Sequence, residues 1–551
     1  MHSIRTIIAK HTHWLLILFL SACVSMFTII IVIIGSFQTP PGFTYLAIGH
    51  YFADYFIYTQ QIAQGMFGHW LVKNQFTTND PVQTLIGWGQ YLFIGRIASV
   101  FHLSPFVAYW VSVYILTFTL CLFMFVLIQR MLSNQSFSMH INAFLLSVFA
   151  TPFVYISFLS HQVTITPYSF FYAPITIFQR IGGVPHHLST TISMIGSLLL
   201  MADVLLYAQQ KKWKKMGLTG ILLGLLLLLA LTFAPLQIIT VMSGISIVSL
   251  WYIGRYFFIK KSKNRAGALM LYLFILCLCI VSAALVIRNH HGSQEIFKRV
   301  AAWEITQQYH PSLWELALSI GPILLLIPFG FQKYLSQTSP IRLLLLVFTG
   351  FSFLYFSTPL ASFFGTFNQR FLSPIPYVLF GTFGVLGIQT ISEFFSNKRA
   401  IRIGLITGFL LYFLMVSLSV LLSLKGIDQL GYMPTEFFTG VKVLNQYGDS
   451  KAVLTSPRRV LGLLVPCIVD RNVYLGRTLS TPDYEKKVGI SDRFYLGVMD
   501  PEEVRKLFID NTIGYVILSP IDLYPASNLK RYPFLKEVYT NGSVTIFQFQ
   551  E

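Results

Sequence analysis

The chain has 551 residues, of which 54% are hydrophobic and only 11% charged, with a mean hydropathy of +0.65. That is about half the charge of a soluble domain, which excludes an ordinary water-soluble enzyme and indicates a polytopic membrane protein. The formal net charge of +18 would suit a nucleic-acid binder, but Lys and Arg stand in short clusters between apolar runs, so the pattern is positive-inside and no nucleic-acid partner is expected.

The apolar run from Trp14 to about Gly35 is longer than the roughly 7–15 residues of a signal-peptide core. It is expected to be a retained first span, with Arg5 and Lys10 on the cytoplasmic side. A polar loop, 37–104, follows and is expected to hold two juxtamembrane helices. In the first, about 48–66, helical spacing puts His50, Asp54, Ile57, Tyr58, Gln61 and Gly65 on one face, opposite Phe52, Phe56, Thr59, Ala63 and Met66. An acid among aromatics beside a membrane makes Asp54 the candidate catalytic base, with His50, Tyr58 and Gln61 as candidate substrate contacts. The plain alternative is a solvated carboxylate on an interfacial helix. The second helix, 81–102, is apolar enough to count as a span, but Arg96 would then be charged near mid-depth. It is read as an amphipathic helix lying in the interface.

Lysine and arginine clusters at 211–215, 260–265, Lys333 with Arg342, and Lys398 with Arg399 and Arg402 mark the cytoplasmic side. Between them, runs of about the 20 residues a bilayer requires give eleven expected spans. These lie near 14–36, 105–128, 141–160, 187–209, 216–233, 236–258, 267–287, 313–331, 342–358, 372–394 and 402–424. The expected fold is thus an α-helical polytopic membrane domain, 1–425, followed by a small α/β domain, 426–551. With the N-terminus cytoplasmic, eleven spans put that second domain outside.

The second external loop ends in Arg180 and in Pro185-His186-His187, and the fourth in Asn368-Gln369-Arg370-Phe371. Arginine forks suit phosphate oxygens. Arg370 is therefore a candidate phosphate contact, and His186 or His187 a candidate anion-binding or acid/base group; adjacent histidines point about 100° apart on a helix and do not share one metal. The third loop, 288–312, carries mixed charge, including Glu304. Beyond Gly426, Asp500-Pro501-Glu502-Glu503 opens a helix, Gly514–Ser519 reads as a buried strand, and Asn541-Gly542 as a hairpin turn. No nucleotide-binding, Ser/His/Asp or Cys/His metal motif is present.

This plan resembles the GT-C superfamily of integral-membrane glycosyltransferases, on the strength of Asp54 in its aromatic setting (50–58), the rest of that helix to Gly65, the second loop helix, Arg180 to His187, and Asn368 to Phe371. The resemblance implies an inverting glycosyltransferase of the cell membrane. It would take a sugar from a polyprenyl-phosphate donor to an extracytoplasmic acceptor, with Asp54 as base and Arg180, His186, His187, Asn368 and Arg370 as candidate substrate contacts. The paired acids of some members are absent beside Asp54, so Asp80 and Glu304 are candidate second acids and a divalent metal a candidate cofactor. The competing readings are a non-catalytic membrane scaffold with an exported domain, and a transporter or flippase of lipid-linked glycans.

Overall fold

The structure is a computed structural model describing residues 2–49, 51–79, 83–84, 89–159, 162–168, 177–337, 339–423, 431–457 and 461–550. Eight of its helices are long and apolar enough to cross a membrane, from Pro105–Met131 to Lys398–Leu421. Two bent pairs, Thr12–Thr28 with Ile30–Phe37 (57°) and Leu313–Ile320 with Pro322–Leu335 (93°), bring the number to ten if each is one span. The chain is a multi-pass α-helical membrane protein. The first bend follows hydroxyls that bond back to the helix, Ser25 to the Ser21 carbonyl and Thr28 to that of Ser25. The second falls at Gly321, whose φ of 91° suits glycine, next to Pro322.

The stretch 141–160, expected as one helical span, is not a continuous helix. A 13-residue helix, Phe137–Phe149, ends there and an antiparallel hairpin of Val154–Leu159 and Gln162–Pro167 follows, with Tyr155 opposite Thr166. Pro152 cannot continue the helix ladder, and the β-branched and aromatic residues beyond it favour a strand. Uniform hydropathy concealed that change of period.

By internal contacts the chain forms two compact units. The first comprises Met1–Ile30, Val113–Ser293 and Ala301–Lys425. It contains most of the apolar helices, which pack through close backbone approaches such as Gly330 against the Phe383 carbonyl and Gly387 against that of Leu326.

The second unit joins Ile31–Ser112, Gln294–Val300 and Gly426–Glu551. The loop after the first apolar helix thus groups with the C-terminal residues. Strand Phe43–Tyr45 pairs antiparallel with Tyr432–Pro434, and Val473 N–H donates to the Gln75 carbonyl (2.8 Å). The C-terminal part carries a four-stranded sheet in the order Ala452–Leu454, Ile513–Leu518, Thr545–Phe549, Leu535–Thr540, the first pair parallel and the others antiparallel. Phe494, Tyr495, Phe508 and Val516 centre its core. Asp500 caps the Pro501–Asp510 helix through the Glu502 N–H (2.9 Å), and Asn541 Oδ1 accepts from the Ser543 and Val544 N–H groups to close the hairpin.

Of the two expected loop helices, the first is Phe52–Phe67. The second is shorter than 81–102: Gln83–Thr84 pair as a strand with Val72–Lys73, and the helix runs Gly89–Val100. These helices touch backbone to backbone, because a Cβ on Gly65 would strike the Leu92 carbonyl and one on Gly95 that of Ile62. Arg96, the charge that argued against spanning, donates to the Gly68 carbonyl at the C-terminus of the first helix and lies 4.4 Å from the Trp70 ring centre.

Candidate active site

Asp54 is the third residue of Phe52–Phe67, in the first turn, where unpaired N–H groups favour a negative charge. The helix start is fixed by Tyr55, whose hydroxyl donates to the Leu46 carbonyl (2.7 Å), and by Trp110, whose indole N–H donates to that of Ala47 (2.7 Å). The Asp54 carboxylate accepts a hydrogen bond from Arg477 Nη2 at 2.6 Å, the two side chains being 26% and 16% exposed. On the same helix, Tyr58 stacks on Tyr91, ring centres 4.8 Å apart. Gln61 is buried, and its Oε1 accepts no hydrogen bond among the described residues.

Behind this face lies a chain of amides. Gln60 and Gln64 both donate to Gln75 Oε1 (2.7 and 3.1 Å), and Gln75 donates to Asp470 Oδ1 (2.7 Å), whose Oδ2 meets His69 Nε2 at 2.6 Å. The network ties the loop helix to the 467–477 segment that carries Arg477. Sequence reasoning missed Arg477. It stands 423 positions from Asp54, in a stretch with no motif, and long-range contacts such as Val473 with Gln75 bring it there.

The remaining candidates lie in the first unit. Arg180 is buried at 2% exposure and donates to the carbonyls of Ser147 (3.0 Å), Val148 (3.2 Å) and Ala150 (2.5 Å), with its guanidinium 3.5 Å from the Tyr377 ring centre. It thus caps the C-terminus of Phe137–Phe149. Burial pulls its pKa down to about 10. His186 and His187 sit in the first turn of Pro185–Gln209, their ring centres 4.3 Å apart in an edge-on contact. Asn368, fully buried, donates to the Tyr309 and Phe356 carbonyls and accepts from the Tyr309 N–H. Arg370 pairs through Nε and Nη2 with both oxygens of Glu304, a buried carboxylate that also accepts from Thr366 (2.6 Å). The two residues singled out separately, as phosphate contact and second acid, therefore form one ion pair. An apolar cavity of about 450 Å³ lies among Leu231, Ile238, Met242, Ile280, Val281 and Phe351 of the same unit.

His50 and Asp80 lie outside the described residues. Among those described, no group of three or more His, Cys, Asp or Glu side chains is gathered to hold a metal ion, and the oxygen of Asp54 nearest a charge faces an arginine. Among the described residues, the donor set around Asp54 does not fit a bound divalent ion.

No protein-family model and no curated protein matches the sequence. Solved structures do match. ArnT from Cupriavidus metallidurans, solved with undecaprenyl phosphate, aligns over 98% of this chain and 98% of its own, with a TM-score of 0.53 and 11% identity. The oligosaccharyltransferase AglB from Archaeoglobus fulgidus, in complex with an inhibitory peptide and a dolichol-phosphate, aligns over 93% and 70%, with a TM-score of 0.51 and 12% identity. The chain has the GT-C fold. The mycobacterial arabinofuranosyltransferase AftD agrees over 96% of this chain, which spans 41% of AftD, with a TM-score of 0.52 and 11% identity. The likeness in fold therefore extends over almost the whole chain.

Proposed function

We propose that the protein is an inverting glycosyltransferase that moves a sugar from a polyprenyl-phosphate-linked donor to an acceptor outside the cytoplasm. The observation that carries this reading is a carboxylate, Asp54, in the first turn of the first-loop helix of a GT-C fold, held by a single guanidinium. The ligands of ArnT and AglB, undecaprenyl phosphate and dolichol-phosphate, support a polyprenyl carrier. The lysine clusters support an extracytoplasmic position for the first loop and the C-terminal residues.

In this mechanism Asp54 takes the proton of the acceptor hydroxyl as its oxygen attacks the anomeric carbon, and the lipid phosphate leaves from the opposite face. One carboxylate acting as base, with none acting as nucleophile, implies inversion. Cationic donors stabilise the departing phosphate. Within the first unit, Arg370, oriented by Glu304 and partly exposed, carries a fork that suits phosphate oxygens. Arg180 is left out because its donors already serve backbone carbonyls. The apolar cavity suits a hydrocarbon chain.

The test is sugar transfer by purified protein from a pool of polyprenyl-phosphate sugars, with and without chelator. Asp54→Asn keeps the shape and removes the base, so the rate should fall roughly 10²–10⁴-fold in a folded protein. Asp80→Asn and Glu304→Gln should cost far less. A folded Asp54→Asn variant that transfers at the wild-type rate would refute the reading.

A further inference from the structure

A carboxylate held by a guanidinium at 2.6 Å is poorly placed to accept a proton from an alcohol, so the Asp54–Arg477 pair calls for an account. The arginine is fixed by its backbone rather than by its side chain. Its carbonyl accepts from the N–H groups of Ser480 (3.0 Å) and Thr481 (2.8 Å), and the Thr481 hydroxyl both accepts from the Gly476 N–H and donates to the Phe76 carbonyl (2.7 Å). Asn74 then donates to the Ser480 carbonyl (2.8 Å). This turn delivers the guanidinium to one place.

Arg471 provides the contrast within the same segment. It is 4% exposed and donates to Asp449 and to the carbonyls of Lys451, Leu444 and Tyr447. Arg477, among the described residues, uses Nη2 on Asp54 and keeps 16% of its side chain exposed. A guanidinium carries five N–H donors in a planar fork that matches phosphate oxygens. Arg477 therefore has donors to offer an anion, whereas four of the five on Arg471 are already taken.

We propose that Arg477 is a positioning residue that passes between two anions: it holds Asp54 in the ligand-free protein and turns to the phosphate of an arriving ligand, which releases the Asp54 carboxylate as a base. This rests on the reading of Asp54 given above. A phosphate monoester or diester competes well for the fork, and a partly exposed ion pair is inexpensive to break. The base would then be unpaired only when donor is present, and stray deprotonation of acceptor would be avoided.

The two anions compete for one cation, so a binding cycle on full-length protein in lipid nanodiscs, read without turnover, tests the exchange. Undecaprenyl phosphate and inorganic phosphate are the probes. Asp54→Asn should bind undecaprenyl phosphate roughly 3- to 10-fold more tightly than wild type, because it removes the competitor, and Arg477→Ala should bind it more weakly by a similar factor. The double variant should match Arg477→Ala, with Arg477→Lys in between. The turn is held by the backbone of residue 477, so these variants should fold, and Arg477→Gln repeats the test with a polar side chain. The same ranking with inorganic phosphate would identify the phosphate group itself as the ligand; a ranking confined to undecaprenyl phosphate would assign it to the lipid headgroup. Asp54→Asn that binds no more tightly, or that strengthens binding equally without Arg477, would overturn the exchange. A failed transfer assay would instead count against the glycosyltransferase reading and leave this cycle to be judged by itself. Where transfer is measured, Arg477→Ala should raise the donor KM, and Arg477→Lys should restore part of it.

Discussion

Removing the Arg180 guanidinium separates two roles that the sequence alone left open. If Arg180 caps the Phe137–Phe149 helix, Arg180→Ala leaves the carbonyls of Ser147, Val148 and Ala150 without their charged donor and removes the contact with the Tyr377 ring. Hydrogen bonds to a charged group are each worth about 1.5–3 kcal/mol, and a desolvated cation–π contact about 2 kcal/mol. These terms do not add, since water or a neighbouring N–H recovers part of the loss and the desolvation cost of a buried cation disappears with it. A net destabilisation of about 3–5 kcal/mol is therefore expected. The assay is the thermal midpoint of purified protein in detergent, with undecaprenyl phosphate affinity measured on the folded fraction. The expected result is a midpoint lowered by several degrees and near-normal affinity in the protein that remains folded, with Arg180→Lys intermediate. An Arg180→Ala protein of wild-type stability that no longer binds the lipid phosphate would refute the capping argument and make Arg180 a ligand contact.

The Glu304–Arg370 pair predicts non-additivity: Arg370→Ala strands a buried carboxylate and should cost about 3–5 kcal/mol of stability, part of which Glu304→Gln should restore, and strictly additive losses would mean the pair does not act as a unit. Lys487 is nearly buried, donating to Thr77, Asn79 and the Tyr474 carbonyl; burial pushes its pKa down to about 8, with Asp483 pulling the other way. Because the unfolded chain then binds more protons than the folded one between about 8 and 10.5, stability should rise with pH in that window by on the order of 1 kcal/mol per unit, and Lys487→Met should abolish the rise; an unchanged slope in that variant would reject the assignment. Gly95→Ala should push the two loop helices apart and cost about 1–3 kcal/mol, whereas Gly217→Ala, in open space on its helix, should be neutral or slightly stabilising; equal effects would discount the close packing.

What could be read from the sequence divides along the range of the interactions involved. Hydropathy and charge clusters located most of the apolar helices, because a span is a local property of about 20 residues. The 141–160 stretch departs from the expected continuous helix, because composition does not distinguish a membrane helix from a short helix followed by a hairpin; Pro152 and the β-branched and aromatic residues beyond it were the local signs of the change. Local rules also located the Asp500 cap and the Asn541-Gly542 turn, where a side chain satisfies backbone groups two or three residues away. The site was legible only in part. Asp54 could be singled out from the helical face it shares with Tyr58 and Gln61, and Glu304 and Arg370 were each noted, yet their pairing could not be, since 66 residues separate them. Arg477 could not be found at all. Its position depends on a strand pairing between Phe43–Tyr45 and Tyr432–Pro434 and on backbone contacts between 74–77 and 472–481, none of which leaves a periodic trace. A cation that must leave its carboxylate for a ligand gains from being held in this way. Anchored through its backbone, the guanidinium can change partners without the turn having to move, so the long-range contacts that hid Arg477 in the sequence are the ones that fit it for exchange.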